Sequence, residues 1–144
     1  SKADPCPYAN LVMLQLLAQF PAKHTTPEVR RGVETILSLW DQRHEKRPYL
    51  FAMGTDFAKL KAPLIWYDIL HVTDVLTQFP WVLRDQRLQQ MIGFLRSKAG
   101  PDGKYTPESV WMDWKGWEFG QKKVPSKWIT LLVQRILKRS EAAI

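Results

Sequence analysis

The chain has 144 residues, 45% apolar and 24% charged, which suits one globular domain and excludes a disordered or fibrous polypeptide. Its single cysteine, Cys6, excludes an intramolecular disulfide framework and fits a reducing, cytoplasmic setting. Net charge is +7, yet no apolar run reaches the roughly 18 residues that span a bilayer and no basic-then-apolar leader is visible, so no membrane span is expected.

In chain order, the pattern predicts a first helix over 8–19, with Pro7 in its first turn and Pro21 beyond its end. Leu11, Val12, Leu14, Leu16 and Leu17 give it a wide apolar stripe. Thr26 is the expected N-cap of a second helix, with Pro27 at its first position and Val29, Val33, Ile36, Leu37 and Trp40 on its core face. That helix is expected to fray in the charged run 41–47. Residues 48–64, bracketed by Pro48 and Pro63 with Gly54 between, are irregular, with room for one short helix over 57–60. A third helix is expected over 66–78, on Ile69, Leu70, Val72, Val75 and Leu76. Asp85 caps a fourth, which carries Leu88, Met91, Ile92 and Leu95 and ends near Ser97. Gly100-Pro101-Asp102-Gly103 reads as a turn, 104–125 as a Trp-rich connection, and Ser126 as the cap of a fifth helix running to about 139. No stretch alternates as a strand does between turn residues, so the fold class is all-α.

The chain also repeats itself. Residues 8–21 read YANLVMLQLLAQFP and residues 67–80 read YDILHVTDVLTQFP, so Gln19-Phe20-Pro21 recurs as Gln78-Phe79-Pro80. A second helical pattern follows each proline, and KWITLLVQRILKR at 127–139 starts a third copy. Tyr8, Tyr67 and Trp128 then share one position, as do Leu17, Leu76 and Leu137. Such a unit cannot bury its apolar face alone, so neighbours must stack. The expected architecture is a single domain over 1–144 with about two and a half helical hairpins.

Residues 94–105, Phe-Leu-Arg-Ser-Lys-Ala-Gly-Pro-Asp-Gly-Lys-Tyr, supply the sharpest motif. They resemble the QW repeat of squalene cyclases and related terpenoid cyclases, Phe-Leu-x-x-x-Gln-x-x-Asp-Gly-x-Trp. Phe94, Leu95, Asp102 and Gly103 fit; Ala99 stands for the Gln and Tyr105 for the Trp. The whole chain is similar to uncharacterised prokaryotic members of the prenyltransferase and squalene cyclase repeat class. That resemblance implies an α/α toroid, with the helices beginning at Tyr8, Trp66 and Ser126 on the inner ring and those at Thr26 and Asp85 on the outer. A full toroid of this class has five to seven hairpins, so this chain would form a partial ring: a piece of something longer, as its start without Met suggests, a self-associating unit, or an open arc whose exposed apolar surface favours association.

The catalytic motifs of the class do not carry over. There is no Asp-x-Asp-Asp, no Asp-rich Mg²⁺ motif, and no zinc-ligand set; Asp4 and Cys6 lie at the terminus, and His24, His44 and His71 show no ligand spacing. No metal or cofactor is therefore expected. Asp68, His71 and Asp74, spaced i, i+3, i+6, fall within about a third of a helix circumference. An Asp–His pair there would fix an imidazole tautomer and make it a base; the plainer reading has Asp68 favouring the helix dipole and Asp74 solvated. Trp111, Trp114 and Trp117 would share one side of a helical segment and suit an isoprenoid-like ligand through apolar and cation–π contact; the plainer reading is a loop pinned by its Trp side chains. Repeat symmetry places Tyr8, Tyr67 and Trp128 at one end of the arc, beside Lys127, so the candidate ligand site is Tyr67, Asp68, His71, Trp111, Trp114, Trp117 and Trp128.

Between 121 and 139 lie six basic residues and no acidic one. They read as a solvated face and as cations at a helix C-terminus; the spacing of nucleic-acid modules is missing, so no nucleic-acid partner is expected. Three functional readings follow: a non-catalytic scaffold or arc binding a small apolar, isoprenoid-like ligand; a fragment of a terpenoid cyclase-like or prenyltransferase-like enzyme; and a protein-interaction repeat using Lys122, Lys123, Arg135, Lys138 and Arg139.

Overall fold

The computed structural model describes residues 6–44, 55–119 and 121–142. Asp4, Pro48, Gly54 and the 45–47 part of the charged run lie outside them. Among the described residues are five α-helices: α1 (Pro7–Leu17), α2 (Pro27–Asp41), α3 (Ile69–Leu76), α4 (Gln86–Ser97) and α5 (Lys127–Glu141). The fold is mostly helical, as the pattern predicts.

The starts follow from local chemistry. Pro7 and Pro27 occupy first helical positions, where a missing N–H costs nothing. Asp68, Asp85 and Ser126 each accept a first-turn N–H, from His71, Arg87 and Ile129. Thr26 stands in the extended N-cap conformation but its side chain makes no capping bond. The third helix starts later than its apolar pattern implies. Asp68 is extended (φ −141°, ψ 172°) and caps α3, so Trp66 and Tyr67 precede the helix.

The internal repeat is visible in the backbone. α1 ends at Leu17 and α3 at the matching Leu76, and each Gln-Phe-Pro leads into a 3₁₀ turn, Pro21–Lys23 and Pro80–Val82. Gln19 Nε2 donates to Gln78 Oε1 at 3.3 Å, and Trp81 Nε1 donates to His24 O at 2.7 Å, so the two copies meet through equivalent turns. α1 packs on α2 and α3 on α4, with α3 between α1 and α5 and α2 beside α4. Every residue of α3 is buried. Arg87 of α4 ties the second layer, reaching both oxygens of Glu34 on α2 (2.7 and 2.9 Å) and Asp85 Oδ2 (2.8 Å). The bond from Arg87 holds the Asp85 carboxyl below its ordinary value.

The turn after α4 joins it to α5. Gly103 adopts φ +72°, and its N–H donates to Gly100 O at 2.9 Å, while Lys104 N–H donates to Asp102 Oδ1 at 3.2 Å. Tyr105 then folds inward and is buried. Its N–H donates to Thr130 Oγ1 (3.0 Å) and its carbonyl accepts from Ser126 N–H (2.9 Å), which fixes the start of α5.

Two expectations need correction. The short helix over 57–60 is a series of turns. The second is a detail that leaves the all-α class intact, one minimal ladder in which Lys61–Ala62 (β1) pairs in parallel with Ser109–Val110 (β2). Two residues are too few for alternation to register. The pairing is set by what flanks it: Leu60 N–H donates to Glu108 Oε2 at 2.8 Å, and Leu60 O accepts from the N–H groups of Glu108 (2.8 Å) and Ser109 (3.1 Å).

A Cβ built on Gly103 meets nothing within 4 Å, so any cost of substitution there is backbone strain alone. Urea unfolding should rank Gly103→Asn as the mildest change, Gly103→Ala next and Gly103→Val worst, the last losing about 1–3 kcal/mol. Equal stability of Val and Gly at this position would refute the turn assignment.

Candidate functional site

Polar side chains gather around α3, and none of the three predicted on it is solvated. Asp68, His71 and Asp74 are all buried. They do not form a dyad. Asp68 Oδ1 accepts from the backbone N–H of His71 at 2.9 Å, not from its ring. The His71 ring lies 2.7 Å (Nδ1) from Trp66 O and 3.1 Å (Nε2) from Gln15 Oε1 on α1. Burial lowers the pKa of His71 and favours the neutral ring. Nδ1–H must then donate to the Trp66 carbonyl, leaving Nε2 an acceptor, so the Gln15 amide presents its NH₂ by exchanging its two ends. Both nitrogens are engaged, and neither is poised to take a proton from a substrate.

Asp74 has a different role. It is 3% exposed, and Arg135 Nε and Nη2 donate to its Oδ1 (3.0 Å) and Oδ2 (2.8 Å). Arg139 Nη1 donates to Oδ1 (2.9 Å) and to the Asp74 carbonyl (3.1 Å). Arg135 and Arg139 are one helical turn apart on α5, so a single face of α5 grips one carboxylate on α3. The sequence reading of Asp74 as solvated is corrected by its burial, whereas the two arginines keep part of their surface in water while committed to it.

Asp68 remains unusual. It is fully buried, and its Oδ2 has no hydrogen-bond partner. Burial raises its pKa to about 7 against the capping bond from His71 and the nearby charge of Lys61, both of which lower it. Lys61 is itself buried, donates to Asp56 Oδ2 at 2.6 Å, and sits 5.4 Å from the centre of the Trp66 ring. Trp66 meets Trp111 edge to face at 5.6 Å. The segment bearing these groups crosses the start of α3, where Ile69 N–H donates to Phe57 O at 2.9 Å.

The three tryptophans of the connection do not share one helical side, because only Met112–Trp114 is helical, as a single 3₁₀ turn. Trp111 goes to Trp66, whereas Trp114 packs against the core and pairs with the exposed Trp117 at 5.0 Å. Tyr67 lies in a chain of rings leading away towards α2, 5.6 Å from Phe57, which in turn is 6.4 Å from Trp40. Burial raises the pKa of the Tyr67 phenol. The Tyr8 hydroxyl donates to Ile65 O at 3.0 Å. Trp128 stands on α5, 41% exposed. The structure therefore brings Asp68, His71 and Trp111 to one end of α3, with Lys61 and Trp66, which the sequence reading left out of the site. Gln15 was legible in principle, since the repeat places it at the position of Asp74, and both reach across to the next helix in their layer.

Among the described residues, no three His, Cys, Asp or Glu side chains converge as a metal site. Cys6 is exposed and free. No helix of the described residues is long and apolar enough to cross a membrane. No family model, curated protein or solved structure matches this chain.

The Asp68 carboxyl sets a pH signature. Below its unfolded value near 3.8, both states hold the proton and the group contributes its full stability. As pH rises towards 7 the unfolded chain ionises first, so that stability is lost, at up to about 1.4 kcal/mol per unit. Asp68→Asn keeps an oxygen for the His71 N–H but cannot ionise. Its stability relative to wild type should rise between about pH 4 and 7 in urea titrations and level off above that; parallel profiles would refute the assignment. His71, whose lowered pKa acts in the opposite sense, is common to both proteins and cancels.

Proposed function

We propose that this chain is a non-catalytic helical-hairpin repeat domain, an arc of α/α toroid type, that binds a small, largely apolar ligand at the start of α3. The observation that carries the reading is the unpartnered Oδ2 of Asp68, fully buried beside Lys61. Buried polar atoms are rarely left without a partner, and one that is calls for an explanation, of which a ligand is one. The Trp66–Trp111 pair supplies an apolar wall at the same end. Together they suit a ligand with an apolar body and one hydrogen-bond donor, such as an isoprenoid alcohol. Asp68 is fully covered, so the donor reaches it only through a local opening at the start of α3. The toroid reading is supported by the hairpin pairs α1–α2 and α3–α4, by the layer α1–α3–α5, and by the left-handed Gly103 in the QW-like turn.

The other two readings have less to stand on. An enzyme fragment would need a base in a catalytic setting; both His71 nitrogens are engaged, Asp74 is held by two arginines, and Asp68, which keeps one oxygen unpartnered, stands in none of the acidic motifs of the cyclase class. An interaction surface on α5 would spend Arg135 and Arg139, which are already committed to α3.

Calorimetry with farnesol and geranylgeraniol tests the proposal. Wild type should bind at least one of them, Trp111→Ala should weaken binding at least tenfold, and Trp117→Ala should bind as wild type does. No binding by wild type, or equal losses at Trp111 and Trp117, would overturn it.

A further inference from the structure

The internal repeat shows which face of α1 lacks its cover among the described residues. His71 of α3 looks back to α1, touching Gln15, while Asp74 looks forward to α5. Their repeat equivalents on α1 are Val12 and Gln15, and Gln15 looks forward to α3 in the same way. Val12 therefore marks the backward side of α1. Val12, Met13 and Leu16 lie within about a third of the helix circumference, and Phe20 follows in the turn beyond. They are 42%, 53%, 54% and 53% exposed, whereas the matching residues His71, Val72, Val75 and Phe79 are buried. One turn of the repeat later, these positions are core.

We propose that this face of α1 is a homodimer interface, on which the α1 helix of a second copy packs. Two observations select that occupant. α1 carries no charged residue over Pro7–Leu17, so two copies can meet there although the chain bears a net charge of +7. The opposite edge of the array is not a matching surface, because on α5 Leu131 shares its exposed stripe with Lys127, Gln134 and Lys138. Packing that edge on α1 would strip water from two lysines with no carboxylate on α1 to receive them. A head-to-tail stack is thus disfavoured, and a self-complementary pairing about a two-fold axis remains. Four side chains make a small interface, so the dimer is weak and concentration-dependent.

Sedimentation velocity of the full chain from roughly 1 to 200 µM, a range that resolves micromolar pairs, tests this. Wild type should move from the 16.8 kDa monomer towards twice that mass. Leu16→Glu should remain monomeric throughout, and Leu131→Glu should dimerise as wild type does. Met13→Glu is the second variant should Leu16→Glu fail to give a helical circular dichroism spectrum. A wild type that stays monomeric, a Leu16→Glu or Met13→Glu protein that dimerises normally, or loss of the dimer in Leu131→Glu would each overturn the proposal.

Discussion

The carboxylate of Asp74 is the constraint on which the arrangement of the helices turns. It sits on the central helix, inside a segment with no exposed residue, where an unpaired charge would be strongly disfavoured. Arg135 and Arg139 answer it from α5 with bonds of 2.8–3.0 Å. α5 packs on α3 and α4. Ile129, Leu132, Val133 and Ile136 give it apolar contact, but apolar contact alone tolerates sliding by a turn. A carboxylate gripped at two points along one face does not. The pair therefore sets the register of the last helix more than it adds raw stability, as buried ion pairs often do.

The same logic separates the two ends of α3. At its C-terminal half, buried charge is matched. At its start, Asp68 caps the helix with one oxygen and leaves the other without a partner. The difference is not one of burial, since both carboxylates are enclosed. It lies in what the neighbouring element offers: α5 brings two guanidinium groups, while the 57–66 segment brings Lys61, already committed to Asp56. That imbalance is why the start of α3, rather than its middle, is the place to look for a ligand.

Much of the fold was legible in the residues. Repeated Gln-Phe-Pro placed the ends of α1 and α3 to within two residues, Asp85 and Ser126 placed two starts, and Gly100-Pro101-Asp102-Gly103 was readable as a turn, because each is a local signal that acts within a few residues. The start of α3 was not, because Trp66 and Tyr67 continue the apolar pattern, and only the side chain of Asp68 stops the helix from including them. The β1–β2 ladder was invisible because Lys61-Ala62 and Ser109-Val110 carry no alternation; Glu108, far away in sequence, makes the pairing. For the site, periodicity identified Asp68, His71 and Asp74 as one polar group but could not say which way each is answered. Asp74 read as solvated because its partners lie on another helix, and charge in a sequence has no address. The tryptophans misled for a related reason: spacing of three implies a shared side only in a helix, and 111–117 is mostly not one.

The claim that Asp74 fixes α5 to α3 is tested most directly by urea unfolding of Arg135→Ala/Arg139→Ala, alone and with Asp74→Asn added. The double variant should lose about 2–3 kcal/mol, less than a fully enclosed pair because trimming the half-exposed arginines admits water. Adding Asp74→Asn should recover a good part of that loss, since the buried charge is then gone. A double variant as stable as wild type, or a triple variant that is additively worse, would contradict the account.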